Sequence, residues 1–208
     1  MSDQVLTEEQ LDVLSELFNI GIGQAAASLS EMIDDNVDLS VPVVRCLPLD
    51  QASIELAKMT SSDISAVKQM FSGEFSGSAL LIFPERDSLE LVKAILGSDV
   101  SLEYLSELEE DALLEVGNVI LNACICTISD ILGCEIIGDI PTRLQGDCKQ
   151  ILSMSSDDVE ESYMLLLSML FSIPNHDIKG SISFIMNMGA LQKFITLIDQ
   201  YVEKLMSQ

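Results

Sequence analysis

Residues 12–19 read DVLSELFN, and residues 111–118 read DALLEVGN. Each octapeptide carries Asp, then Glu four residues on, then Asn three further. The spacing continues beyond them: 22 residues separate Asn19 from Pro42, and 22 separate Asn118 from Pro141. At about 100° per residue, positions i, i+4 and i+7 fall within roughly 60° of one helix face. Asp12, Glu16 and Asn19 are therefore predicted to share one face of a helix, as are Asp111, Glu115 and Asn118. On the opposite faces, Leu11, Leu14, Phe18, Ile22 and Ala25 form one apolar stripe, and Leu113, Gly117, Ile120 and Cys124 form the other.

A polar stripe opposite an apolar one is what any surface helix shows, and a single copy would mean no more than that. The second copy shifts the balance. Core letters differ between the copies, Phe18 against Gly117, while the exposed Asp, Glu and Asn recur. Asp and Glu four apart repel mildly and Asn is a mediocre helix former, so local stability does not favour this choice. Something outside the helix is expected to select it.

Working outward, the repeat extends over the chain. GSALLIF at 77–83 and GSISFIM at 180–186 occupy matching places, offset by 103 rather than 99, and each leads into an amphipathic helix, 86–96 or 190–205. The four extra residues are assigned to a longer hairpin loop within SIPNHDIKG at 172–180, and the junction of the halves to GSDVSLEYLS at 97–106. Aliphatic and β-branched runs predict strands in VDLSVPVVRCLPL, ISAVKQMF and SALLIF, and again in EIIGDIPTRLQ, YMLLLSMLF and SISFIM. Short connections favour antiparallel pairing. The expected fold is α/β of the α+β type: one domain over 1–208, built from two half-repeats of about 1–100 and 101–208, with a mostly antiparallel six-stranded sheet covered by helices. Thr7 with Gln10, flanked by Leu6 and Leu11, predicts a capping box and hydrophobic staple at the first helix; Ser106 with Glu109 predicts a second box.

With 48% apolar residues the chain can bury a full core. The longest apolar candidate, MLLLSMLFSI at 164–173, is half a bilayer span and reads as a buried strand, and MSDQVLTEEQ lacks the pattern of a secretion signal. A cytoplasmic protein without membrane insertion is expected. Ten Lys+Arg against 34 Asp+Glu give a formal charge of −24, which repels nucleic acid. Five cysteines without a CxxC pair indicate neither a disulfide framework nor a zinc site; Cys124 and Cys126 are predicted in the core. The single histidine, His176, is predicted in a turn.

No Ser, Cys or Lys recurs beside the triplets, so they do not form a nucleophilic triad, and one Glu and one Asp per face do not make a convincing metal site. A carboxylate can instead grip a partner's lysine, and a carboxamide, donor and acceptor at once, can fix a water. An amide is too weak a base to deprotonate water. Such a site suits a reaction whose electrophile is already activated, and phosphoryl transfer is one, because its catalysis is largely positioning and charge neutralisation.

The pattern Asp or Ser, three residues, Glu, two residues, Asn, 22 residues, Pro resembles the signature of the CheC, CheX and FliY chemotaxis phosphatases. It is met at Asp12, Glu16, Asn19 and Pro42 and again at Asp111, Glu115, Asn118 and Pro141. FNIGIGQAAASLS at 18–30 also looks like the family's first helix. Two motif copies with no motor domain after them look most like the CheC type. The resemblance implies a hydrolase acting on the aspartyl-phosphate of the response regulator CheY. In it Glu16 and Glu115 salt-bridge a regulator lysine, Asn19 and Asn118 orient the attacking water, and Mg²⁺ is supplied by the regulator. It implies a second partner, the receptor deamidase CheD, for which Ser129 to Gly138 is the candidate surface. The other reading is a non-catalytic adaptor that sequesters CheD or the phosphorylated regulator. Gly21 and Gly23 stand where the second copy has Ile120 and Asn122, so the two sites are expected to dock the regulator with different efficiency. Two halves paired within one chain favour a monomer.

Overall fold

Thr7 starts the first helix as its side chain requires: its hydroxyl accepts from the Gln10 backbone amide, and the Gln10 side chain accepts from the Thr7 backbone N–H, closing the capping box. Helix α1 then runs over Glu8–Ile33 and ends at Asp34 in the left-handed conformation, φ 54°. The computed structural model describes residues 5–39, 43–59, 63–96, 102–156, 161–173 and 176–207.

Beyond α1 come β1 (Asp38–Leu39), β2 (Val43–Pro48), α2 (Leu49–Met59), β3 (Ile64–Gly73), β4 (Gly77–Pro84) and α3 (Glu85–Leu96). The same order follows in α4 (Leu102–Leu132), β5 (Ile136–Gly138), β6 (Thr142–Gly146), α5 (Cys148–Ser153), β7 (Ser162–Ile173), β8 (His176–Asn187) and α6 (Met188–Met206). All strand pairings are antiparallel, in the order β1-β7-β8-β4-β3-β5, with β2 also on β7 and β6 also on β3. The sheet thus has eight strands where six are expected; it is six positions wide, and each edge is divided into two short strands.

The edges are exchanged between halves. β1 and β2 pair with the second half's β7, and β5 and β6 pair with the first half's β3. Both faces of the sheet are covered, which is why the central strands read as near-continuous apolar runs rather than alternating ones. One core joins α1, α3, α4 and α6 to residues such as Val67, Leu81, Leu167 and Ile182. The other packs Leu49, Ala52 and Leu56 of α2 and Ile151 and Leu152 of α5 on Ala66, Leu80 and Leu166. These two short helices were not expected from the sequence.

Several expectations need correction. SIPNHDIKG is mostly strand, since β7 and β8 pair from Ser162↔Asn187 to Ile173↔His176; the added residues lengthen the ladder instead of the loop. His176 accordingly opens β8 and does not sit in a turn. Residues 97–101 of the proposed junction lie outside the described residues, and 102–106 are helical. Because α4 starts at Leu102, Ser106 is inside the helix and no longer its N-cap, and Glu109 is used elsewhere. Cys126, finally, is exposed, whereas Cys124 is buried. Burial pushes the Cys124 and Cys46 thiols up to about 12.

The two motif helices pack on each other and on the sheet, and glycines set how closely. A Cβ on Gly21 would lie 3.1 Å from the Cys124 Cα and the Thr127 Oγ1 of α4. Gly21 therefore allows the close packing of α1 on α4; Gly23 faces open space. At Gly117 a Cβ would lie 2.4 Å from Val67 Cγ1. Gly117→Ala should destabilise the protein by about 1–3 kcal/mol, overpacking exceeding the helix propensity gained; urea unfolding would show it as a lowered midpoint. Within α4, Leu108–Leu132 is long and apolar enough, by length and composition, to cross a membrane, a longer stretch than the 164–173 run singled out from sequence. Half of its most apolar window is buried inside this fold.

Candidate functional site

The apolar stripes fix how α1 and α4 face the core. Leu14, Phe18, Ile22 and Ala25 are buried, and so are Leu113, Gly117, Ile120 and Cys124. Asp12, Glu16, Asp111 and Glu115 are consequently exposed. Neither Glu16 nor Glu115 is held in an ion pair among the described residues. Asn19 and Asn118 lie lower on the helix flank and are half-buried.

At the second motif, the fold brings all four signature residues together. Asp111, Leu114, Glu115, Asn118 and Asn122 of α4 face Gly138, Asp139, Ile140 and Pro141 across an open cleft of about 580 Å³ floored by Gln69 of β3. Pro141 lies at the break between β5 and β6, where a residue without an N–H costs no ladder hydrogen bond. Ile140 beside it is 88% exposed, an apolar tip on the rim.

Three carboxamides meet at the base of this cleft. Gln69 Nε2 donates to Asn122 Oδ1 at 2.8 Å and to the Asp139 backbone oxygen at 2.9 Å. Asn122 Nδ2 donates in turn to Asn118 Oδ1 at 2.7 Å. Gln69 is 1% exposed, and its Oε1 has no partner among the described residues. Gly138 makes room for it, because a Cβ there would lie 2.7 Å from Gln69 Nε2. Sequence inspection missed Gln69 as a site residue and noted Asn122 only as a departure from Gly23. The one available signal was an amide one helical turn after Asn118.

The first motif is arranged differently. Pro42 lies outside the described residues. Asp12 and Glu16 are exposed, but the Asn19 carbonyl oxygen is buried and without a partner among the described residues. Below the second site, Glu109 and Arg143 form an ion pair at 2.8 Å, their side chains 11% and 16% exposed, tying α4 to β6.

Residues 9–45 match the model of the CheC-like family. The chain is 24% identical over 139 residues to the CheY-P phosphatase CheC of Bacillus subtilis (strain 168), covering 65% of this chain and 66% of that protein. It is 25% identical over 133 residues to the flagellar motor switch phosphatase FliY of the same organism, covering 63% of this chain and 34% of FliY. The chain thus spans less than two thirds of the length of either relative. In three dimensions it resembles crystalline Thermotoga maritima FliY, with a TM-score of 0.74 at 20% identity over 95% of this chain and 99% of the other. The CheX–CheY–BeF3–Mg complex of Borrelia burgdorferi gives 0.51 at 18% identity over 83% and 97%. Motif spacing and alignment make this chain similar to the CheC and FliY proteins, with its CheC-like segment at residues 9–45, and its fold is that of FliY.

Proposed function

We propose that this protein is a phosphatase that hydrolyses the aspartyl-phosphate of a CheY-type response regulator. The observation that carries the reading is the cleft of the second motif, where Glu115, Asn118 and Pro141 stand on one open concavity and Glu115 has no ion-pair partner among the described residues. Glu115, and Glu16 on the first helix, would each grip a lysine of the regulator. The Asn118 carbonyl oxygen has a second lone pair beyond the one taken by Asn122, and this accepts from a water O–H. The water oxygen then attacks phosphorus, the bond from phosphorus to the aspartyl oxygen breaks, and the free carboxylate and inorganic phosphate leave. Among the described residues no cluster of three or more His, Cys, Asp or Glu could hold a metal ion. The proposal assigns the Mg²⁺ of the reaction to the regulator.

The names of two relatives, CheY-P phosphatase and motor switch phosphatase, support this reading. So does the regulator present in the CheX complex. CheD remains the proposed second partner. Its candidate surface, Ser129 to Gly138, ends in the edge strand β5, where Ile137 is 60% exposed.

Phosphate release should be followed with a large molar excess of phosphorylated regulator and Mg²⁺. A phosphatase releases many phosphates per chain. An adaptor that only sequesters the regulator leaves the intrinsic hydrolysis rate of the excess untouched, and that result would reject the enzymatic reading.

A further inference from the structure

The two halves can be aligned through their ladders. β3 pairs Phe71 with Gly138, and β7 pairs Phe171 with Leu39. Lys68 pairs with Thr142, and Ser168 with Val43. Since 138 − 39 = 99 and 142 − 43 = 99, β3 and β7 correspond at an offset of 100, which places Gln69 opposite Met169. The helix offset of 99 places Asn122 opposite Gly23. Where the second half builds a chain of amides under Asn118, the first offers a buried thioether, Met169 at 5% exposure, and a glycine facing open space.

A buried glutamine is costly unless its hydrogen bonds are made. Gln69 meets that cost only in part, and its bonds run toward the cleft instead of into the sheet. Gly117 on α4 and Gly138 on β5 both lack the side chain that would collide with Val67 or with Gln69 itself. Asn122 of α4, Gly138 of β5 and the Asp139 backbone oxygen next to it thus surround the Gln69 carboxamide.

We infer that Gln69 and Asn122 are positioning residues of the second site, holding the Asn118 carboxamide in a single orientation with its oxygen tied to Asn122 and its amide group free for the cleft. Without them Asn118 can rotate about χ2 and exchange donor for acceptor at the reacting centre. With them, the remaining carbonyl lone pair and the N–H2 group keep fixed places, the first for water and the second for a phosphoryl oxygen. This inference rests on the phosphatase reading above for its kinetic consequence, though not for its geometry.

The test uses the full chain with phosphorylated CheY-type regulator and Mg²⁺. With the first motif disabled by Asn19→Ala, Asn122→Ala and Gln69→Met should each lower kcat by about 10- to 100-fold with KM unchanged, the scale expected when a reacting group is misplaced. With the second motif disabled by Asn118→Ala, neither substitution has a target, and the rate should stay that of Asn118→Ala alone. A kcat unchanged in the first background, or an equal further loss in the second, overturns the inference, the latter showing a merely structural role. The side-chain amide resonance of Asn118, read by NMR without any regulator, should shift and broaden in both variants. If it does not move, the inference fails whatever the kinetics. If the parent protein releases no phosphate while that resonance does move, the phosphatase reading alone has failed.

Discussion

Replacing both asparagines, Asn19→Ala with Asn118→Ala, is expected to abolish accelerated phosphate release while the protein remains folded. The loss at each site should be at least about 100-fold, the usual consequence of removing a preorganised hydrogen-bonding group from a reacting centre. The fold should survive because neither amide supports it strongly. The Asn19 oxygen is buried without a partner among the described residues, so Asn19→Ala removes an unsatisfied group and adds a better helix former, with stability unchanged or raised by up to about 1 kcal/mol. Asn118→Ala strands the Asn122 amide and should cost about 0.5–1.5 kcal/mol. A protein that loses its rate while keeping its unfolding midpoint would locate the role of these residues in chemistry with a partner. Undiminished release from the double variant would remove the proposed mechanism.

The same imbalance is what makes the motif legible in the sequence. A helix that keeps an amide at Asn19 whose oxygen has no partner among the described residues is not optimised for its own stability. Spacing on a regular helix converts directly into a shared face, so the exposure of Glu16 and Glu115 and the burial of Phe18 and Leu113 followed from periodicity alone. The strands were legible for a similar reason. Matching Gly77 to Gly180 implies an offset of 103, while the ladders give 101, because Phe71 pairs with Gly77 and Phe171 with Ile178 while β3 and β7 differ by 100. The two offsets differ by 2, a full side-chain period, so the slip left every inward residue inward.

What stayed hidden depends on pairing between distant segments. Gln69 belongs to the first half, yet it serves the second motif, because β5 and β6 cross over to pair with β3. Nothing local to Gln69 announces that neighbour. Helices α2 and α5 were missed because each is short, and their apolar residues become meaningful only once the second face of the sheet is known to need cover. Ser106 misled for a related reason. Its spacing to Glu109 copies Thr7 to Gln10, but α4 has added a turn before it, and Glu109 has been taken over by Arg143.

That takeover leads to the largest expected effect on stability. Arg143→Met leaves the Glu109 carboxylate, only 11% exposed, with no cation beside it, and removing one partner of a buried pair typically costs about 3–5 kcal/mol. Glu109→Leu strands the Arg143 guanidinium, whose remaining hydrogen bond among the described residues is a long one of 3.4 Å to Ser65 Oγ, and should cost about as much. The double variant, Glu109→Leu with Arg143→Met, should recover most of the loss, because desolvating two charges offsets much of their attraction. Urea unfolding of all four proteins forms a double-mutant cycle with a strongly non-additive term; additive losses would show that the pair is not coupled. Activity should not recover in parallel. Glu109 stands two residues before Asp111 and Arg143 two after Pro141, so the ion pair sets the separation of the cleft's two walls, α4 and the β5–β6 break. Apolar side chains can refill the volume without fixing that distance. A stable double variant with a second site slowed by about 10-fold, measured with the first motif disabled, would separate the stability of the wall from its alignment.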